Sequence, residues 1–194
     1  MSAPILKYQG ALSALTPEAL RRLLDRSPGD ADAQVATRVR ALIARVRAEG
    51  DRALFDFARQ FDRVELKALE VPRARWVAAL ESLPSDVRDA LVRAARNIAR
   101  AHAAQRPTSV EVETEPGVVV GRRPDPLGRV GVYAPGGRAV YPSSVLMGVV
   151  PAKVAGVGEI IVCSPPGPDG LPSAGVLAAA ALAGADRVFA LGGA

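Results

Sequence analysis

The chain has 194 residues, 49% of them apolar, and 25 basic against 20 acidic side chains give a formal charge of +5; this suits one domain or slightly more and excludes a disordered chain. One Cys and one His exclude a disulfide framework within the chain and a zinc site built from the usual three or four Cys and His ligands. The longest apolar stretch, 174–185, is 12 residues and too short to span a bilayer, and the start MSAPILKYQG lacks the charged and apolar regions of a signal peptide.

A cytoplasmic protein with no membrane partner is the expectation. The basic excess is no sign of nucleic acid either. Of the 25 basic residues 22 are Arg, and residues 1–107 carry net +6 while 108–194 carry net −1. The excess is interleaved with Asp and Glu along helical segments, which reads as solvated helix faces before it reads as an anion-binding surface.

Residues 1–107 read as helices. Thr16-Pro17 is a start signal, a capping hydroxyl followed by Pro at the first helical position. The next helix spans 31–49, with Val35, Val39, Leu42 and Val46 at helical spacing and Gly50 as its stop. Asp51 caps a third helix through Phe61, which buries Leu54, Phe55 and Ala58. A short extended piece at 68–71 precedes a helix over 74–81. Ser85 caps a long helix whose inward face is Val87, Leu91, Ala94, Ala95 and Ile98.

Past Pro107 the period falls to two. Val110 and Val112 alternate with Glu111 and Glu113, Pro116-Gly117 turns, and 118–120 returns, a β-hairpin with one wet face. From Gly128 the order is strand 129–133 (RVGVY), Gly-rich loop, apolar helix 143–154 containing Pro151, strand 159–163 (EIIVC), apolar helix 173–183 and strand 187–191 (RVFAL). Strands so continuously apolar predict a parallel sheet covered on both faces. The expected fold is therefore α/β. Residues 1–127 form a helical region with a hairpin, and 128–194 form a βαβαβ unit, the first half of a Rossmann-like domain.

Ligands of open parallel sheets bind at the carboxyl ends of the strands. Three loops end there: 133–137 (YAPGG), 164–167 (SPPG) and 191–194 (LGGA). Paired glycines let backbone N–H groups approach a phosphate, and the helix that follows offers its positive end. Tyr133 can lay its ring on a flat group or donate its hydroxyl. Neither G-x-G-x-x-G nor G-x-x-x-x-G-K-[ST] is present. Pattern alone leaves Gly136-Gly137 open between a phosphate loop and a plain strand-to-helix turn. The remaining candidates have simpler structural readings. His102 sits near the end of a helix face. Cys163 closes an apolar strand as an inert thiol. Ser143 and Ser144 are helix caps, and Lys153 and Glu159 face solvent.

The run RVGVYAPGGRAVYPSSVLMGVVPAKVAGVGEIIVCSPP, 129–166, resembles the histidinol dehydrogenase family. FDRVEL (61–66), NIARAHAAQRP (97–107), ETEPGVVVGRRPDPLGRVGVY (113–133) and ADRVFALGGA (185–194) resemble the same family in order and spacing. The resemblance implies oxidation of L-histidinol to L-histidine through histidinaldehyde, with two NAD and zinc, as the last step of histidine biosynthesis. It implies interlocking homodimers and a fold of two incomplete Rossmann-like domains, aldehyde/histidinol dehydrogenase-like, with smaller helical pieces. It assigns NAD contact to Tyr133, with Gly136 and Gly137 in the loop beside it. The family's zinc ligands, Glu-His base pair and most substrate contacts match nothing in these 194 residues, so no catalytic or metal-binding residue is expected here. The chain is then expected to be an N-terminal portion that is inactive alone, with an open sheet edge after 187–191. A non-catalytic nucleotide-binding or assembly module, and a related NAD-dependent alcohol dehydrogenase, are the alternatives.

Overall fold

After residue 128 an apolar strand, a loop and an apolar helix alternate. In the computed structural model this becomes a parallel sheet of β3 (Arg129–Tyr133), β4 (Glu159–Ser164) and β5 (Arg187–Ala190), in the order β3-β4-β5. The structure describes residues 10–24, 30–136 and 139–192. Val130, Ile160 and their neighbours pair in register, as do Val132, Val162 and Val188. The crossovers are α6 (Pro142–Ala155) and α7 (Ala174–Ala183), which pack against each other. Both helices stop at glycines with left-handed φ, Gly156 at 87° and Gly184 at 79°, where a Cβ would be strained. Pro151 lies inside α6, which continues through it.

The sheet has one fully covered face, where two were expected. Ile160, Val162, Ser164, Val188 and Ala190 are buried against α6 and α7, whereas Ile161, Cys163 and Phe189 are only half-buried. The strand order explains the difference. Both crossovers step in the same direction, so handed connections drop both helices on one side. The other face is approached by α3 (Asp51–Phe57), which lines a cavity of about 560 Å³ with Ile161, Cys163 and Phe189.

The edge beyond β5, expected to be open, is closed. Val71 N–H donates to Val188 O and Ala190 N–H to Leu69 O, both at 2.8 Å, around an antiparallel bridge of Glu70 with Phe189. This is the short extended piece before α4 (Arg73–Glu81). The Arg187 guanidinium grips the Glu70 carboxylate at 2.9 and 2.6 Å across the same junction. α4 packs on α7, and Trp76, 2% exposed, donates its indole N–H to Val71 O at 2.9 Å. α5 (Ser85–Ala104) packs on α6 through Leu91, Ala94, Ala95 and Ile98, while Val87 stays exposed.

The described residues divide into two compact units, 1–43 and 44–194. In the first, α1 (Pro17–Leu24) begins as expected, with Thr16 Oγ accepting from Ala19 N–H at 3.2 Å. α2 (Asp30–Glu49) runs across the division, and its apolar Val35 and Val39 are exposed. In the second unit, β1 (Val110–Glu115) and β2 (Val118–Arg122) form the expected hairpin. Its valines are exposed on both faces, so neither face is the dry one foreseen.

Candidate functional site

All three strands of a parallel sheet end together, so β3, β4 and β5 bring their loops to one edge. Backbone bonds tie those loops beyond the strands. Ala134 N–H donates to Cys163 O and Leu191 N–H to Ser164 O, each at 2.9 Å. Gly136 lies against the next loop, and a Cβ on it would stand 3.2 Å from Pro165 Cδ. The close approach thus serves loop-to-loop packing. Gly137 lies outside the described residues.

Tyr133 ends β3 on the open face of the sheet and is 49% exposed. Cys163 and Phe189 follow it across the strands in register. The Arg187 guanidinium covers the Phe189 ring at 4.7 Å, a cation–π contact that occupies this part of the face. Burial pushes the Cys163 thiol up, which keeps it neutral and matches the expected inert role.

Two hydroxyls at the same end have no hydrogen-bond partner among the described residues: Ser164 Oγ, at the end of β4, and Ser173 Oγ, just before α7. Buried hydroxyls are normally satisfied, so this pair is of the kind a polar ligand completes. A third polar group is Asp62. It ends a π-helical turn, Ala58–Asp62, that follows α3 directly. Sequence reasoning missed both features. Ser164 reads as part of the strand-end loop with no role for its hydroxyl, and Asp62 reaches the sheet only through long-range packing.

Other candidates fall elsewhere. His102 is exposed on the last turn of α5. With Arg106, Asp125 and Pro151 it lines a cavity of about 500 Å³ at the opposite, N-terminal end of the strands. Ser143 and Ser144 are inside the first turn of α6, not its caps, because Tyr141 takes the cap position and Pro142 the first helical one. Lys153 and Glu159 are paired rather than simply solvated. Lys153 Nζ is 3.2 Å from Asp186, and Glu159 contacts Arg129 and Arg187.

The two implied cofactors fare differently. Unpaired hydroxyls, loop backbone and an exposed tyrosine at the strand ends fit a dinucleotide. Zinc does not fit: among the described residues no three His, Cys, Asp or Glu side chains converge as a metal site. Nor is any described helix long and apolar enough to cross a membrane.

The fold defines a mixed α/β protein whose strand-end loops gather at the carboxyl end of a three-stranded parallel sheet. The profile of the histidinol dehydrogenase family matches residues 25–194, and the chain belongs to that family. It is 48% identical over 183 residues to histidinol dehydrogenase of Methanosarcina mazei, covering 94% of this chain and 42% of that one. It is 43% identical over 205 residues to that of Bordetella parapertussis, covering 97% and 45%. The crystal structure of histidinol dehydrogenase from Elizabethkingia anophelis superposes with a TM-score of 0.77 at 31% identity, over 87% of this chain and 38% of that one. The chain spans less than half the length of these relatives.

Proposed function

We propose that the chain is the NAD-holding portion of a cytoplasmic, homodimeric histidinol dehydrogenase. That enzyme oxidises L-histidinol to L-histidine through histidinaldehyde, with two NAD and zinc, as a step of histidine biosynthesis. The observation that carries the proposal is the family match over 25–194, combined with the convergence of Tyr133, Gly136 and the 164–167 and 191–192 loops at one sheet edge. NAD supplies the hydride acceptor when bound.

The chain's own residues bind and orient. Tyr133 offers a ring face beside the first loop, which suits a flat ring of the dinucleotide. The backbone at Gly136, which Gly137 follows in sequence, and the start of α7 are suited by their N–H groups to its phosphates, with the contribution of Gly137 carried by the resemblance alone. Residues 128–194 act as the first half of the binding domain. No step is assigned to a metal, since the described residues offer none its ligands, so the chain alone binds without turning over.

The test is thermal melting of the purified chain with and without NAD, alongside NADH formation with L-histidinol and zinc. Binding at a hundredfold excess over Kd adds about 2.7 kcal/mol to stability. A melting rise of several degrees with no NADH is expected. No shift at millimolar NAD contradicts the cofactor assignment, and turnover contradicts the division of labour.

A further inference from the structure

The turn after α3 delivers a carboxylate to the ligand edge of the sheet. At Ala58–Asp62 the helix widens to a π turn, and Arg63 follows in the left-handed region at φ 58°, the one non-glycine residue with positive φ among the described residues. Such turns cost free energy, and they recur where a side chain must be aimed. Here the aim is at the end of β5. A Cβ on Gly192 would overlap both carboxylate oxygens of Asp62. A cavity of about 220 Å³ opens beside them, with Phe61, Cys163, Leu191 and Gly192 in its wall. That volume lies below the roughly 300–1,000 Å³ of sites that hold whole drug-sized ligands, and it suits one sugar-sized part of a larger molecule.

Asp62 makes no hydrogen bond or ion pair with any described residue. Burial pushes its carboxyl up, with no neighbouring cation to offset it. Among the described residues, then, nothing donates to this half-buried carboxylate.

We propose that Asp62 accepts the hydroxyls of the adenosine ribose of the bound dinucleotide and thereby selects NAD over NADP. The proposal rests on the NAD reading above. Doubly wound sheets commonly take the ribose 2′-hydroxyl on an acidic residue near a strand end. Here β4 ends in Cys163-Ser164 and β5 in Ala190-Leu191, so neither strand supplies an acid, and Asp62 supplies it from α3's side. Neighbouring strands lie about 4.8 Å apart, which sets the end of β5 about 10 Å from that of β3. Asp62 and Tyr133 therefore stand at opposite sides of the ligand edge, and a dinucleotide reaching both lies across the strand ends. A 2′-phosphate in place of the hydroxyl sets a dianion against the carboxylate.

Calorimetric titration of NAD and NADP into the 194-residue chain and its Asp62→Asn variant tests this. The wild type is expected to bind NAD at least tenfold tighter than NADP. Asp62→Asn should lose about tenfold for NAD, the weight of a hydrogen bond to a charged group, while NADP binding holds or improves. The variant should melt no lower than the wild type, since it removes a carboxylate that burial disfavours, so a folding defect cannot imitate the result. Wild-type binding of NAD with unchanged affinities in Asp62→Asn overturns the role of Asp62 and leaves the NAD reading standing. Wild type that binds neither nucleotide overturns both.

Discussion

Asp186 shows how one side chain sets the spacing of two strands. Its backbone N–H donates to Ile160 O at 2.9 Å, and its carboxylate accepts from Ile160 N–H at 2.8 Å. Lys153 Nζ adds a 3.2 Å contact from the end of α6. The backbone bond from Ile160, then Lys153, hold the Asp186 carboxyl below its ordinary range. The sign follows from linkage. A carboxyl whose folded value is depressed contributes stability above its unfolded value, near pH 4, and loses it as pH falls through the lower folded value. The side chain is 38% exposed, so solvent screens the lysine pair and the Ile160 bond carries most of the effect. Asp186→Ala strands the N–H of a fully buried residue and should cost about 1–2 kcal/mol near pH 7. Urea melts between pH 7 and 3 should then show a shallower acid loss in the variant. A parallel acid limb in both proteins contradicts the assignment.

Closure of the β5 edge is a property of elements. The 69–71 segment contributes only two ladder bonds, yet it ends the sheet against a residue pair that is otherwise buried, and it anchors Trp76 at the start of α4. Val71→Pro deletes one donor and leaves Val188 O unanswered, which should cost about 1–3 kcal/mol. It also bares an edge that can pair with another chain. A lower Tm together with self-association in light scattering is the expected outcome, and wild-type behaviour refutes the structural role of the ladder. Much of this level was legible. The periods of 3.6 and 2 located the helices, the hairpin and the three parallel strands, because those patterns reflect local geometry and one-sided burial. Partners were less legible. A three-residue extended piece carries no sign of which strand it joins, and continuous apolar strands do not reveal on which side the helices fall. Serines were misplaced as caps for a local reason, since Pro142 and Pro84 draw the helix starts one or two residues forward of expectation.

For the whole molecule, the site divides by the range of the contacts that build it. The place of Tyr133 and Gly136 at the end of β3 was legible because a strand-loop-helix unit is local in sequence. Asp62 was not, because only tertiary packing sets it against Gly192. Two cavities now compete as the main ligand site. One runs along the open sheet face toward Asp62, and the other, near His102 and Arg106, lies at the opposite end of the strands. The cofactor assignment requires the first. The most direct measurement is the amide NMR spectrum of the isotope-labelled chain titrated with NAD. Shifts should concentrate at residues 133–136, 164–167 and 191–192, with Asp62 among them and His102, Arg106 and Asp125 unmoved. Shifts confined to His102, Arg106 and Asp125, with the strand-end loops silent, would contradict it.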